Sequence, residues 1–172
     1  TTVIERSSSH ARTQASILDH EYQKNGLDRC IPETWVERDV REYEAADYVA
    51  TPSTFAYQSF LKHGFDEQKL LCVPFGTDIP ESNQEESDDM DDTFHFLFSG
   101  HLNLRKGIQY LLKAWDRLSI NATLILTSGI DEDIRPLIQG YEDDDSIQYM
   151  GYVDDLDTWY NRADAFVFPS LE

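Results

Sequence analysis

Short apolar runs alternate with amphipathic stretches along most of the chain, and the runs have the length of β-strands. Most of them are continuously apolar rather than alternating, which is typical of parallel strands that are covered on both faces. Seven such strands are predicted, at residues 2–5, 48–51, 70–73, 94–99, 122–127, 147–150 and 165–168.

The stretches between these runs carry helical signals. In residues 108–118 the apolar side chains recur at helical spacing and predict one buried stripe made of Ile108, Leu111, Leu112, Trp115 and Leu118. Ser53 stands as an N-cap before another helix, which Gly64 closes. Further helices are predicted over residues 11–24, from Pro32 onward, within 131–141 and over 156–163.

Strands that alternate with helices predict an α/β fold with doubly wound parallel sheets. Residues 1–80 and 93–172 each show this alternation, but neither has the five or six strands of a whole sheet of this kind. We therefore predict two incomplete Rossmann-like units, joined by an acidic linker at residues 81–92.

The large net negative charge of the chain excludes some classes of binding partner. The chain of 172 residues has 33 acidic and 14 basic side chains, a net charge of −19, and residues 81–92 hold seven acids and no base. This charge repels nucleic acids and anionic lipids, and no apolar run approaches the roughly 20 residues of a membrane span. We interpret the chain as a salt-adapted cytoplasmic protein, the alternative being an acidic protein without salt adaptation.

The cysteines and the amino-terminal end add little chemistry. Cys30 and Cys72 make neither a disulfide scaffold nor a metal site, and Cys72 is predicted to be a small buried hydrophobe. No spacing of histidine, cysteine and aspartate indicates zinc. The chain opens in an apparent strand, without methionine or an apolar signal region, so we expect it to be an internal piece.

The most informative segment is the loop of residues 99–107, SGHLNLRKG, between a strand and a helix. Gly100 and Gly107 frame it at the carboxyl end of a parallel strand, where open α/β sheets bind ligands. Arg105 and Lys106 add two positive charges beside the amino end of the following helix. The pattern fits a receptor for phosphate or diphosphate, or an ordinary loop with a solvated basic pair.

Three segments resemble family 4 (group 1) glycosyltransferases, which have a two-domain Rossmann-like architecture. SGHLNLRKGIQYLLKAW resembles their phosphate-contacting loop, and the stretch from EAADYVATPS to PFGTD resembles the end of their amino-terminal domain. IQYMGYVDDLDTWYNRADAFVFPSLE resembles the approach to their donor-site glutamates. The resemblance implies an amino-terminal acceptor domain and a carboxyl-terminal donor domain.

The resemblance implies roles for the loop residues. A lysine before the second glycine contacts the donor diphosphate in the family, and Lys106 has that place. An arginine commonly follows the first glycine, where this chain has His101, so either Arg105 or His101 supplies the second phosphate contact.

Other donor-side residues follow from the same resemblance. Gly151, Tyr152 and Val153 correspond to residues that border the nucleotide base, although Tyr152 fits a core aromatic equally well. Family members carry two glutamates eight positions apart around the donor, and Glu172 corresponds to the neighbour of the first one.

On the acceptor side, Glu5, Arg6 and His10 follow a strand end where many members place a histidine or an acid facing the cleft. For His10 we favour the alternative of a surface residue at a helix amino terminus. His20, His63 and His95 have no partner pattern and are interpreted as structural.

The activity implied is transfer of a sugar from a nucleotide-diphosphate sugar to a hydroxyl of a glycan or lipid-linked acceptor, with retention and without a metal cofactor. Without the donor glutamates, the chain is expected to be inactive by itself. The alternatives are a non-catalytic nucleotide- or glycan-binding module of the same fold, which His101 in the arginine position favours, and another nucleotide-sugar enzyme such as an epimerase.

Overall fold

The computed structural model describes residues 1–28, 31–77 and 93–172. The described residues fall into two compact units, one of residues 1–28, 31–77 and 172 and the other of residues 93–171. The predicted linker at residues 81–92 and Cys30 lie outside the described residues.

The amino-terminal unit is a three-stranded parallel sheet with helices between its strands. Its sheet order is β1-β2-β3, and Val49 in the central strand pairs with Ile4 on one side and Leu70 on the other. The elements are β1 (Val3–Glu5), α1 (Ala11–Lys24), α2 (Glu33–Ala45), β2 (Tyr48–Thr51), α3 (Thr54–Lys62), a 3₁₀ turn (Glu67–Lys69) and β3 (Leu70–Cys72). Its core holds Ala11, Ala15, Val36, Tyr43, Val49, Phe60 and Leu70.

The carboxyl-terminal unit is a four-stranded sheet in which every pairing is parallel. Its elements are β4 (Phe94–Ser99), a 3₁₀ turn (Leu104–Lys106), α4 (Ile108–Trp115), β5 (Ala122–Thr127), a 3₁₀ turn (Glu132–Ile134), α5 (Arg135–Gln139), β6 (Ile147–Gly151), α6 (Leu156–Arg162) and β7 (Ala165–Phe166). The strands of both units are parallel and alternate with helices, so the predicted α/β class is confirmed.

The strand order of this second unit locates a ligand crevice. The order is β6-β5-β4-β7, so the chain winds from β4 outward in one direction and then returns to the other side of β4 with β7. Ligands of open α/β sheets bind at the carboxyl ends of the strands where the order reverses in this way. The loop after β4 and the segment after β7 therefore meet at the place where the fold favours a ligand.

Helix α4 follows that loop and buries one apolar face. Ile108, Leu112 and Trp115 are at most 7% exposed, so the predicted apolar stripe is confirmed over these residues. Leu118 was predicted to belong to it and does not, because α4 ends at Trp115 and Leu118 is 50% exposed.

The prediction for Cys72 is also wrong. It was predicted to be a buried hydrophobe, but it is exposed, as is its neighbour Leu71. In the described sheet β3 is an edge strand, and only one of its flanks is paired, with β2. A continuously apolar run therefore did not guarantee cover on both faces.

Candidate functional site

Gly107 closes the loop after β4 against the segment after β7. Its φ is +74°, and a Cβ at this position would lie 2.0 Å from the carbonyl oxygen of Pro169. The Leu171 N–H donates to the Arg105 carbonyl at 2.9 Å and fastens the two segments together. Only glycine combines this left-handed backbone with so close an approach, so the residue fixes the floor of the crevice between β4 and β7.

Asn103 sets the position of the two basic residues. Its Oδ1 accepts the Lys106 N–H at 3.0 Å and caps the 3₁₀ turn that carries Arg105 and Lys106. The Lys106 ammonium lies 4.7 Å from the ring centroid of Phe168, a cation–π contact. Because Phe168 follows β7, this contact brings the charge of Lys106 to the β4/β7 crevice.

Helix α4 begins directly behind these charges. It starts at Ile108, and the N–H groups of Tyr110 and Leu111 both bond to the Gly107 carbonyl, at 2.9 and 3.1 Å. The amino end of a helix carries a partial positive charge from its aligned peptide dipoles. The crevice therefore combines a helix amino terminus with the Lys106 cation, and Arg105 lies in the same 3₁₀ turn, in a chain whose net charge is −19. That combination suits an anion with more than one negative charge.

The loop after β5 is joined to the loop after β4. The Leu102 N–H donates to the Gly129 carbonyl at 2.8 Å, and the Asp131 N–H donates back to the Leu102 carbonyl at 3.1 Å. Leu102 is fully buried and anchors this short bridge. As a result His101 and Asp131 lie side by side, with 2.5 Å between Nε2 and Oδ1.

The loop after β6 lies beside the loop after β5 at the carboxyl ends of the strands. Ser128 has a φ of +92°, and its N–H donates to the Gly151 carbonyl at 2.5 Å, which ties this loop to that after β5. A Cβ on Gly129 would lie 3.1 Å from Cε1 of His101 and 3.7 Å from Cε2 of Tyr152. The bare backbone of Gly129 therefore lets both rings approach it.

Tyr152 itself is 85% exposed, so its interpretation as a core aromatic is wrong. An exposed ring at the carboxyl end of a strand is available for stacking or hydrogen bonding. Val153 is half-buried beside it. The predicted contacts of Gly151, Tyr152 and Val153 with a base stay predictions.

The structure brings together Gly100, His101, Arg105, Lys106 and Gly107 in one loop, as the sequence requires. Gly100 also packs closely, since a Cβ there would lie 3.0 Å from the Phe168 ring. Glu172, by contrast, is grouped with the amino-terminal unit. Its predicted donor-side role stays a prediction.

The three acceptor-side candidates lie in the amino-terminal unit. Glu5 is exposed, whereas the Arg6 guanidinium is committed to internal contacts. Its Nη1 lies 3.3 Å from an oxygen of Asp39, and its Nη2 donates to the Gln14 side-chain oxygen at 2.7 Å. Arg6 thus has a structural task, holding the end of β1 against α1 and α2, and an acceptor contact by it stays a prediction.

His10 is the N-cap of α1, but the interpretation of it as a surface residue is wrong. The side chain is fully buried, its ring stacks on His63 with 4.1 Å between centroids, and Nδ1 accepts the Arg12 N–H at 3.2 Å. Burial lowers the pKa of His10 to about 4, with smaller contributions from His63, Arg12 and Arg6. His10 is therefore a neutral core residue near neutral pH, and its acceptor-side role stays a prediction.

Sequence reasoning missed four residues of the site, namely Asn103, Gly129, Asp131 and Phe168. Asn103 could have been found as a capping residue three positions before Lys106. Asp131 follows the strand next to β4, but its pairing with His101 depends on the strand order. Within residues 1–28, 31–77 and 93–172, no cluster of three or more metal-ligating side chains occurs and no helix is long and apolar enough to cross a membrane.

Comparison with known proteins gives one matching family and several solved structures of similar fold. Residues 93–172 match the family model described as "Glycosyl transferases group 1". No curated protein sequence matches the chain.

Among solved structures, Alr3699/HepE from Anabaena, in complex with UDP and glucose, is 16% identical over 98% of this chain and 46% of its own, with a TM-score of 0.70. A glycosyltransferase from Rickettsia africae is 17% identical over 95% of this chain and 55% of its own, with a TM-score of 0.57. The lipopolysaccharide outer core galactosyltransferase WaaB is 15% identical over 73% of this chain and 37% of its own, with a TM-score of 0.54.

At these identities the solved structures establish the fold alone, and the chain spans 37–55% of their lengths. The family match covers the unit that contains the loop of residues 99–107 and the β4/β7 crevice. The resemblance predicted from the sequence is therefore confirmed: residues 93–172 match the group 1 glycosyltransferase family, and both units have the α/β fold of the solved structures.

Proposed function

We propose that the chain belongs to a retaining glycosyltransferase, which moves a sugar from a nucleotide-diphosphate sugar to a hydroxyl acceptor. The observation that carries the proposal is the position of Lys106, whose ammonium lies over Phe168 at the β4/β7 crevice. The family match of residues 93–172 supports the reaction class.

The proposed donor is a uridine-diphosphate hexose. Its support is the similarity in fold to Alr3699/HepE, whose solved complexes contain UDP with glucose and UDP-glucose. The exposed ring of Tyr152, at the carboxyl end of β6, offers a surface for the base, while the cations of the loop after β4 suit the diphosphate.

The mechanism places charge stabilisation on the leaving group. As the bond between the sugar and the diphosphate breaks, the sugar becomes cationic and the diphosphate gains negative charge. Lys106, which lies over Phe168, and the amino end of α4 are proposed to stabilise that charge without reorganising, with Arg105 as a further cation of the same loop. Loss of one such contact costs on the order of 10²–10³ in rate.

Metal independence is part of the proposal. Two side-chain cations and a helix terminus supply the countercharge for a diphosphate that a divalent cation supplies in other enzymes. Transfer is accordingly expected to be unchanged in EDTA. A strict requirement for Mg²⁺ or Mn²⁺ would contradict this part.

The acceptor side is proposed to lie in the amino-terminal unit, with Glu5 as its exposed candidate. A glycan or lipid-linked acceptor is supported by the fold shared with WaaB, a transferase of the lipopolysaccharide outer core. Synthesis of cell-surface polysaccharide in the cytoplasm is the setting that we propose.

Turnover is proposed to need more of the fold than this chain provides, because the solved relatives are about twice its length.

Donor binding is tested on the chain itself by titration with UDP-glucose in a calorimeter. Stereochemistry is tested by NMR of the anomeric proton of the product, in a version extended to the length of the relatives. An inverted product would contradict retention, and donor binding without any transfer would contradict the catalytic role.

The second candidate is a non-catalytic nucleotide-binding module, and the residue that favours it is His101 in the position where the family commonly has arginine. Such a module would bind UDP as tightly as UDP-glucose and would leave the sugar bond intact. The extended version therefore separates the two candidates by the presence or absence of donor consumption.

A further inference from the structure

His101 and Asp131 form a side-chain pair at the carboxyl-end edge of the sheet. Nε2 of His101 lies 2.5 Å from Oδ1 of Asp131. An ionised carboxylate only accepts hydrogen bonds, so Nε2 carries the proton in this contact and Nδ1 is the second nitrogen. A Cβ on Gly129 would lie 3.4 Å from Nδ1, so this nitrogen borders the space that the glycine leaves open.

The pair is built into the fold. The backbone of Asp131 bonds to Leu102, the residue after His101, and Leu102 bonds in turn to Gly129. Since Leu102 is fully buried, both partners are attached to one rigid anchor. The absent side chain of Gly129 leaves space for the imidazole, because a Cβ there would come within 3.1 Å of Cε1. A surface pair formed by chance would lack this support.

We propose that Asp131 is a positioning residue that makes His101 a ligand of the donor diphosphate, and this rests on the proposed function. On binding, the imidazole takes up a proton from solvent at Nδ1, so that the ring donates from Nε2 to Asp131 and from Nδ1 to a phosphate oxygen. An arginine carries a permanent charge and several donors, whereas an imidazole must be held in one orientation to present its single remaining N–H. The carboxylate supplies that orientation, as it does for many histidines that bind metal ions.

The test is a double-mutant cycle on UDP affinity, measured by calorimetry on the full chain. Asp131→Asn keeps the shape and removes the charge, and we expect UDP to bind about 10-fold more weakly. In a His101→Ala background the same change is expected to alter the affinity less than ~2-fold, because the partner that it orients is gone. Uridine, which has no phosphate, is expected to bind all four proteins equally.

A matched control lies in the same unit. Asp164 is 3.8 Å from Nδ1 of His95, at the opposite end of β4. Asp164→Asn therefore removes a carboxylate from a histidine pair outside the site and is expected to leave UDP affinity unchanged. His101→Arg, combined with Asp131→Asn, is expected to restore tight binding, since arginine needs no orienting carboxylate.

The ring itself gives a readout that is independent of ligand. The ¹⁵N shifts of the His101 imidazole are expected to show a protonated Nε2 in the parent chain and a mixture of tautomers in Asp131→Asn. Unchanged shifts, unchanged UDP affinity, or an equal loss in the His101→Ala background would each overturn the assignment of Asp131. A parent chain that binds no nucleoside diphosphate would instead contradict the proposed function.

Discussion

Gly107 packs directly against the backbone of Pro169 in the carboxyl-terminal unit. The carbonyl oxygen of Pro169 lies 2.0 Å from the place that a Cβ on Gly107 would take, and the glycine has a φ of +74°. This contact closes the loop after β4 against the segment after β7. The geometry of the β4/β7 crevice depends on the absence of a side chain at one position.

Gly107→Ala is therefore expected to lower the free energy of unfolding by about 2–4 kcal/mol, from backbone strain and the clash with Pro169 together. The measurement is urea unfolding at neutral pH. Gly140→Ala is the control, because Gly140 has a φ of −65° and its Cβ would meet only the Leu137 carbonyl at 3.6 Å. The control is expected to change stability by less than ~1 kcal/mol. Equal effects of the two substitutions would show that the closure at Gly107 is not tight.

The buried His10 predicts a loss of stability on acidification. Its pKa is lowered from 6.5 to about 4 in the folded chain, so the unfolded chain takes up the proton first as the pH falls. The stability is fully present above pH ~6.5 and is lost progressively down to pH ~4. His63, stacked on the same ring, has a lowered pKa from burial and adds to the loss in the same direction.

The measurement is chemical unfolding at several pH values between 7.5 and 4.5, in the parent chain and in His10→Asn. Asparagine preserves an N-cap acceptor for the Arg12 N–H but does not titrate. The slope of stability with pH is expected to be smaller in the variant. Identical slopes would mean that folding does not lower the pKa of His10 and that the side chain is not buried as described.

The surplus of 19 negative charges predicts salt dependence. Repulsion between carboxylates is strong at low ionic strength and is screened when the Debye length shrinks to about 3 Å at 1 M salt. The thermal unfolding midpoint is therefore expected to rise as KCl is raised from about 0.05 M to about 1 M. Sucrose at matched osmolality serves as the uncharged control. A midpoint that stays flat in KCl would remove the salt-adapted interpretation.

Much of the secondary structure could be predicted from the sequence. The strands at residues 48–51, 94–99 and 122–127 have the predicted bounds, because each is a mainly apolar run that contains β-branched or aromatic residues and ends at polar or turn-forming positions. Helix α1 also has its predicted bounds, residues 11–24. The loop with Lys106 could be recognised because its residues are adjacent in the chain.

What could not be predicted depends on neighbours in space. Cys72 is exposed because β3 is an edge strand, and Tyr152 is exposed because it stands beyond the end of β6. His10 is buried because aromatic side chains from α2 and α3 surround it, including Tyr43 and Phe60. The pairing of His101 with Asp131 requires β4 to lie beside β5, and no local pattern announces that order.

The most direct test of the account is the affinity of the chain for UDP when Lys106 is replaced by alanine. Lys113 supplies the matched control, because it is exposed in α4, towards the end of the helix that lies away from Lys106, and its loss changes the net charge equally. We expect Lys106→Ala to weaken UDP binding by ~10- to 100-fold, the typical worth of a hydrogen bond to a charged group, and Lys113→Ala to change it less than ~2-fold. Equal, small effects of the two substitutions would contradict the assignment of the β4/β7 crevice as the diphosphate site.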